Sequence, residues 1–181
     1  MKSLFAITLF FLSVVTILAQ TPPAGTVISN QATVLYSDPA GNNHTQTSNT
    51  VTATVAKVSG LAITPDAQTA TNLVPGGNQV LIFTLTNSGN FADSFVFGPS
   101  GTSLRVTGSA TLTRAVIDLD NDGVIDLTDT DISGNAAAVT SASVAAGGVL
   151  KVLAEVTVAG SATPGSSIQV QLGDAGGATP F

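Results

Sequence analysis

Apolar and polar residues alternate along much of the chain with the two-residue period of a β-strand, in which successive side chains point to opposite faces. The alternation predicts one strand from Thr26 to Tyr36 and a second from Ser48 to Val55, with Val51, Ala53 and Val55 on one face. Between them, Ser37-Asp38-Pro39-Ala40-Gly41-Asn42-Asn43 is rich in residues that favour chain reversal. The two segments therefore read as a long hairpin. After Lys57-Val58-Ser59-Gly60 a new unit opens with Leu61-Ala62-Ile63-Thr64-Pro65. Strands are predicted at Gln79 to Thr86, Asp93 to Phe97, Thr111 to Ile117, Val149 to Val158 and Ser167 to Leu172. Pro75-Gly76-Gly77, Asn87-Ser88-Gly89-Asn90 and Thr163-Pro164-Gly165 punctuate them. Short strands at such spacing imply two packed sheets, a β-sandwich.

Composition supports strands and sets the compartment. Gly, Ala, Ser, Thr, Val and Asn dominate, and only 9% of the residues are charged. Val and Thr pack well on a pleated face while Gly supplies turns, so helix is disfavoured throughout. Phe83, Phe91, Phe95 and Phe97 lie close together in sequence and are expected to pack in the core. Met1-Lys2-Ser3 carries one positive charge, and the apolar run Leu4 to Leu18 ends at Ala19, followed by Gln20-Thr21-Pro22-Pro23. This is the pattern of a secretory signal peptide, residues 1–19, cut after Ala19. The run is too short to cross a bilayer comfortably, so no stable transmembrane segment is expected after cleavage. The chain has no Cys, which excludes disulfides and a lipid-modified cysteine at the cleavage site. About 160 residues then remain, room for one sandwich or for a sandwich plus a smaller β unit, in a secreted, periplasmic or cell-surface protein.

Charge is concentrated in one place. Apart from Lys2 there are four basic residues against eleven acidic ones, which argues against electrostatic capture of nucleic acid or anionic lipid. Six of the eleven acids fall between Asp118 and Asp131. Within Asp118-Leu119-Asp120-Asn121-Asp122-Gly123-Val124-Ile125-Asp126-Leu127-Thr128-Asp129, oxygen ligands stand at loop positions one, three and five. A glycine follows at six and acids at nine and twelve, the spacing of a calcium-binding loop. The predicted side-chain ligands to Ca2+ are Asp118, Asp120, Asp122 and Asp129, with the Val124 carbonyl, and with Asp126 acting directly or through water. The last ligand is Asp where such loops usually carry Glu, one methylene shorter, which weakens bidentate closure. The flanks Leu112 to Ile117 and Ile132-Ser133 are not amphipathic helices. The loop is therefore expected between β elements. The competing reading is an acidic, solvated turn.

Catalysis has little to draw on. His44 is the only histidine and is expected in an exposed turn without partners. Glu155 alternates with Ala154 and Val156 and is expected to face water. The serines lack a nucleophile-elbow pattern.

The run Ile63-Thr64-Pro65-Asp66-Ala67-Gln68-Thr69, then Val74-Pro75-Gly76-Gly77, then Phe83 to Phe95 with its Thr86-Asn87-Ser88-Gly89-Asn90 centre, resembles the conserved-repeat family of bacterial and archaeal surface proteins. The aspartate-rich loop followed by Gly147-Gly148 and Ala162-Thr163-Pro164-Gly165 is similar to that family too, so the resemblance covers roughly residues 60 to 172. It implies immunoglobulin-like domains, often in tandem and usually without an assigned activity. Residues 25 to 57, with Ile28-Ser29-Asn30-Gln31-Ala32-Thr33 and Thr47-Ser48-Asn49-Thr50-Val51-Thr52, look like the last two strands of such a repeat. The expected organisation is thus an all-β, immunoglobulin-like β-sandwich with an additional N-terminal β-hairpin. The hairpin occupies residues 20–58, and the sandwich, with its calcium loop at 118–129, occupies 59–181 and lacks its last strand. Each piece lacks what the other has, so the hairpin is expected to complete the sandwich, in its own chain before a neighbour's. The expected function is a non-enzymatic secreted or cell-surface structural or adhesion module stabilised by calcium. A carbohydrate- or protein-binding module of the envelope is the alternative, and a calcium-dependent hydrolase the third reading. Expected partners are other envelope or surface proteins, or self-association through an open sheet edge.

Overall fold

The computed structural model describes residues 22–71 and 73–173. The signal peptide expected at 1–19 and the tail from 174 lie outside the described residues. The fold is all-β, and its pairings are antiparallel; one turn of 3-10 helix at Pro99–Gly101 is the exception to strand and loop.

The N-terminal segment folds as the predicted long hairpin, but each arm is broken. One arm consists of β1 (Val27–Asn30) and β2 (Thr33–Ser37), the other of β3 (Asn43–Thr47) and β4 (Val51–Thr54). β1 pairs with β4 and β2 with β3, around a turn in which Asp38 Oδ1 accepts the Ala40 and Asn42 N–H groups. The breaks fall where side chains replace the ladder: Ser48 Oγ accepts the Ala32 N–H, and Gln31 Nε2 donates to Ser48 O. Contrary to the expectation of completion within the chain, these strands join neither of the larger sheets.

The body begins with β5 (Leu61–Thr64), β6 (Ala67–Ala70), β7 (Asn78–Asn87) and β8 (Val96–Phe97). It continues with β9 (Leu104–Thr107), β10 (Ala110–Asp118), β11 (Thr130–Asp131), β12 (Val139–Thr140), β13 (Val149–Val158) and β14 (Ile168–Leu172). A five-stranded sheet has the order β11-β10-β13-β7-β5, a three-stranded sheet the order β6-β14-β9, and β8 pairs with β12. The alternation did not reveal β6, β9, β11 or β12, which are four residues long or shorter. Leu81, Phe83 and Leu85 of β7, Val152, Ala154 and Val156 of β13, and Ile168, Val170 and Leu172 of β14 share one buried cluster. The two larger sheets thus close on a single core, and the period-two spacing in each strand selects its members. Phe83 and Phe97 are fully buried and Phe95 packs against the cluster. Phe91 departs from expectation: it lies outside this cluster, and its ring carries the Lys57 ammonium 5.1 Å from its centroid.

A bulge in β10 decides what lies on the other face of the large sheet. Leu112 pairs with Val156, but the next pair is Arg114 with Glu155, which leaves Thr113 as the extra residue. One inserted residue exchanges the two faces. Ala110 and Leu112 face the core before the bulge, and Ala115 and Ile117 face it afterwards. Arg114, Val116 and Asp118 are thereby turned outward, and Val116 lies opposite Leu153. Both are fully buried although neither belongs to the core cluster.

Two asparagines organise the Asn87–Asn90 turn: Asn87 fixes it within the body, and Asn90 joins it to the hairpin. Asn87 Nδ2 donates to Phe91 O and Val144 O at 2.8 Å each, while its Oδ1 accepts the Gly89 N–H. Asn90 Oδ1 accepts the Val58 N–H at 2.9 Å, and its Nδ2 donates to Ala56 O at 2.9 Å. Gly60 allows this close approach, because a Cβ there would lie under 3 Å from Ser88 and Gly89. Replacing Asn90 by Ala removes its bonds to the Val58 N–H and the Ala56 carbonyl, at a cost of about 0.5–1.5 kcal/mol because both residues are open to water. We expect Asn90→Ala to lower stability against denaturant by that amount and to speed hydrogen exchange at residues 55–60 more than in β13. Unchanged exchange there would show that the asparagine does not hold the junction.

Candidate metal centre

The loop is closed by the strands it interrupts. β10 ends at Asp118, and β11 returns beside it with Val116 opposite Asp131 and Ile117 opposite Thr130. The first and last predicted ligands are thus brought together by a strand pair. Two left-handed residues tighten the turn between them, Asn121 at φ 64° and Gly123 at φ 78°; Asn tolerates that region and Gly has no Cβ to oppose it. The loop lies against the outer face of the large sheet. A Cβ on Gly123 would stand 3.8 Å from Ile82 Cδ1, and Ile82 is the register partner of Leu153. Arg114 Nη2 donates to the Asp126 carbonyl at 3.1 Å.

Five of the six predicted ligands meet as carboxylates. One oxygen each from Asp118, Asp120 and Asp129 lie within 4.8 Å of one another, as do one each from Asp120, Asp122 and Asp126. Asp120 belongs to both sets. Their other lone pairs are taken up by the loop itself: Asp118 Oδ1 accepts the Asn121 N–H at 2.6 Å and Oδ2 the Gly123 N–H at 3.1 Å. Asp122 Oδ1 accepts the Val124 N–H at 2.7 Å, and Asp129 accepts from Leu119 and Asp126 at 3.2 Å. Asp118 is buried, whereas Asp120 and Asp122 are exposed. The sixth predicted ligand, Val124, has an exposed side chain, so anything it gives a cation comes from its main chain. The arrangement is an all-oxygen acidic cluster that could hold a metal ion.

Three supporting residues were not singled out in the sequence. The Thr128 hydroxyl donates to Asp126 Oδ1 at 2.7 Å, and its N–H does the same; together they hold the Asp126 carboxyl below the usual carboxylate range. Burial works against ionisation of Asp131, but the Gly134 and Ser133 N–H groups, the Ser133 hydroxyl and the nearby Arg114 guanidinium outweigh it and lower its pKa. Arg114 Nε stands 3.7 Å from Asp131 Oδ2 and so ties the returning strand to the outer face. Thr128 was open to prediction, being two residues beyond Asp126; Arg114 reaches the loop only because of the bulge.

His44 is not in a turn and not without partners. It lies in β3 opposite Tyr36, whose ring stacks on it at 5.2 Å, and its Nε2 is 3.2 Å from Asp38 Oδ2. The neighbouring Ser37 hydroxyl donates to Asn43 Oδ1 at 2.6 Å and not to the imidazole. Glu155 accepts from Asn78 Nδ2 at 3.0 Å. Comparison with protein-family models, curated proteins and solved structures finds no match for the chain. Among the described residues no helix is long and apolar enough to cross a membrane.

The hairpin tip yields a pH prediction. The Asn42 side chain, then its N–H, then His44 lower the Asp38 pKa to about 2. A depressed carboxyl pKa stabilises the turn above the ordinary value near 3.9, and that contribution is lost as pH falls through about 2. An NMR titration of the Asp38 carboxyl carbon should show a midpoint near pH 2, with the Asn42 side-chain amide moving in parallel. A midpoint at the ordinary carboxylate value would contradict the hydrogen-bonded turn.

Proposed function

We propose that this chain is a non-enzymatic structural module of a bacterial cell surface or envelope, an immunoglobulin-like sandwich whose aspartate loop binds calcium. The observation that carries the reading is the convergence of Asp118, Asp120, Asp122, Asp126 and Asp129 on overlapping oxygen clusters at calcium-loop spacing. Calcium takes six to eight oxygens in flexible geometry, and every side-chain donor in the cluster is a carboxylate oxygen. A softer metal would want nitrogen or sulfur, and His44 is in the hairpin while the chain has no Cys. The immunoglobulin-like assignment is supported by two antiparallel sheets around one core, together with the repeat-family resemblance of residues 60 to 172. Asp129 spends both oxygens on backbone N–H groups at 3.2 Å, in keeping with a weak site. A weak site suffices outside the cell, where calcium is millimolar and stabilises the folded state by mass action.

Electrostatics gives the cation its role. Like charges within 4.8 Å repel by about 1 kcal/mol per pair in water, and by several times that nearer the protein. Neutralising them stabilises the loop where it lies against the outer face of the sheet, at Ile82 and Arg114. For catalysis, the His44–Asp38 pair would need a nucleophile, and the hydroxyl of Ser37, the residue before Asp38, is engaged with Asn43.

Calcium should raise the melting temperature with the logarithm of its concentration above the dissociation constant, by the equivalent of about 2.7 kcal/mol at one hundred times that constant; magnesium should do so less. Asp120→Asn combined with Asp122→Asn should abolish the calcium effect and leave the calcium-free protein at least as stable as the parent, because repulsion is relieved. Melting curves identical in calcium and in chelator would overturn the proposal.

A further inference from the structure

Among the described residues nothing covers the hairpin strands. Its strand residues are all exposed, and Val27, Ile28, Val34, Leu35, Tyr36 and Val51 each keep more than half of their surface in water. Two strands alone are at best marginally stable, and a ribbon needs a third strand or an apolar surface. Its edges also lack the charged or proline residues with which sheet edges are normally blunted: the strands β1 to β4 contain no Lys, Arg, Asp, Glu or Pro. Asn90 and Gly60 fix the hairpin at its root.

The body offers the complementary defect close by. β5 ends the large sheet, and its sequence Leu61-Ala62-Ile63-Thr64 is also uncharged. A groove beside it is lined by Leu61, Phe95 and Val96, with Val96 half exposed; the Ser59 hydroxyl on Asp93 Oδ2 lies at its rim. No residue of the chain's own hairpin strands lines that groove.

We infer that the hairpin of one molecule docks at the β5 edge of a second copy of this chain, adding strands to its large sheet and covering the Leu61–Phe95–Val96 groove. Charge favours a second copy in this orientation. The molecule is acidic overall, yet between Pro22 and Ala56 it carries one acid, Asp38, so the hairpin is the part that approaches another acidic body with little repulsion. Length matches as well: the acceptor strand β5 has four residues, about 13 Å, and so have β1 and β4, so one arm of the ribbon can pair with β5 along its whole length. Donor and acceptor are different surfaces of one molecule, so the contact is heterologous and propagates head to tail. It involves no residue of the aspartate loop.

Sedimentation velocity of the purified chain and two variants over a range of concentrations tests this. Ile28→Lys with Val51→Lys charges one hairpin face and leaves the groove intact; Val96→Lys charges the groove and leaves the hairpin intact. Should Val96→Lys fail to fold, Ser94→Lys serves at the same groove. The parent should grow with concentration into oligomers, each variant alone should remain monomeric with an unchanged circular dichroism spectrum, and an equimolar mixture should form a one-to-one dimer and nothing larger. A parent monomeric at the highest concentration, a mixture that does not dimerise, or a groove variant that dimerises alone through its hairpin would each overturn the inference.

Discussion

The central strand β13 is dry on its core face and, at Leu153, on its outer face too, and the rest of the body is arranged around that constraint. Towards the core it presents Val152, Ala154, Val156 and Val158, covered by the three-stranded sheet. Towards the outside it presents Leu153, fully buried beside Val116. A twelve-residue stretch containing five carboxylates lies on that side. Covering two aliphatic side chains is worth about 3–6 kcal/mol. Several like-charge pairs at the separations found here oppose it by a comparable amount. Those opposing terms are close enough that, on the calcium reading proposed above, a bound cation would decide whether the cover stays closed.

The bulge at Thr113 makes this arrangement possible. Without the extra residue, regular alternation from Ala110 and Leu112 would bring Arg114, Val116 and Asp118 to the core side and turn Ala115 and Ile117 outward. With it, a guanidinium and a carboxylate leave the core, Arg114 reaches Asp126 and Asp131, and Asp118 starts the loop on the outer face. Loop and sheet are thus one construction, joined by β10 and β11 at either end.

Where one residue type dominates a face, the sequence was readable. β13 was predicted with its observed ends, β7 within a residue at each end, and the hairpin as a hairpin, because apolar residues recur at every second position on at least one face of each. The aspartate spacing marked the loop before any fold was known, since ligand order along a short turn is local information. What escaped was long-range. Thr113 carries no bulge signature, and β11 and β12 are two-residue strands defined by their partners alone. His44 was read as isolated because its partners, Tyr36 and Asp38, become neighbours only when the hairpin closes. Asn90 looked like an ordinary turn residue, though its side chain bonds across to Ala56 and Val58.

The hairpin and the body present opposite problems, one an apolar ribbon without a sheet and the other an acidic loop held over an apolar face. The second is the more decisive for what the molecule does, and the methyl groups beneath the loop report on it directly. In a calcium titration followed by methyl NMR, the Val116 and Leu153 signals should shift and sharpen saturably while those of Ile168 and Leu172, on the far sheet, stay fixed. If the Val116 and Leu153 methyls are the same in calcium and in chelator, the loop closes over the sheet without a cation, and the central claim fails.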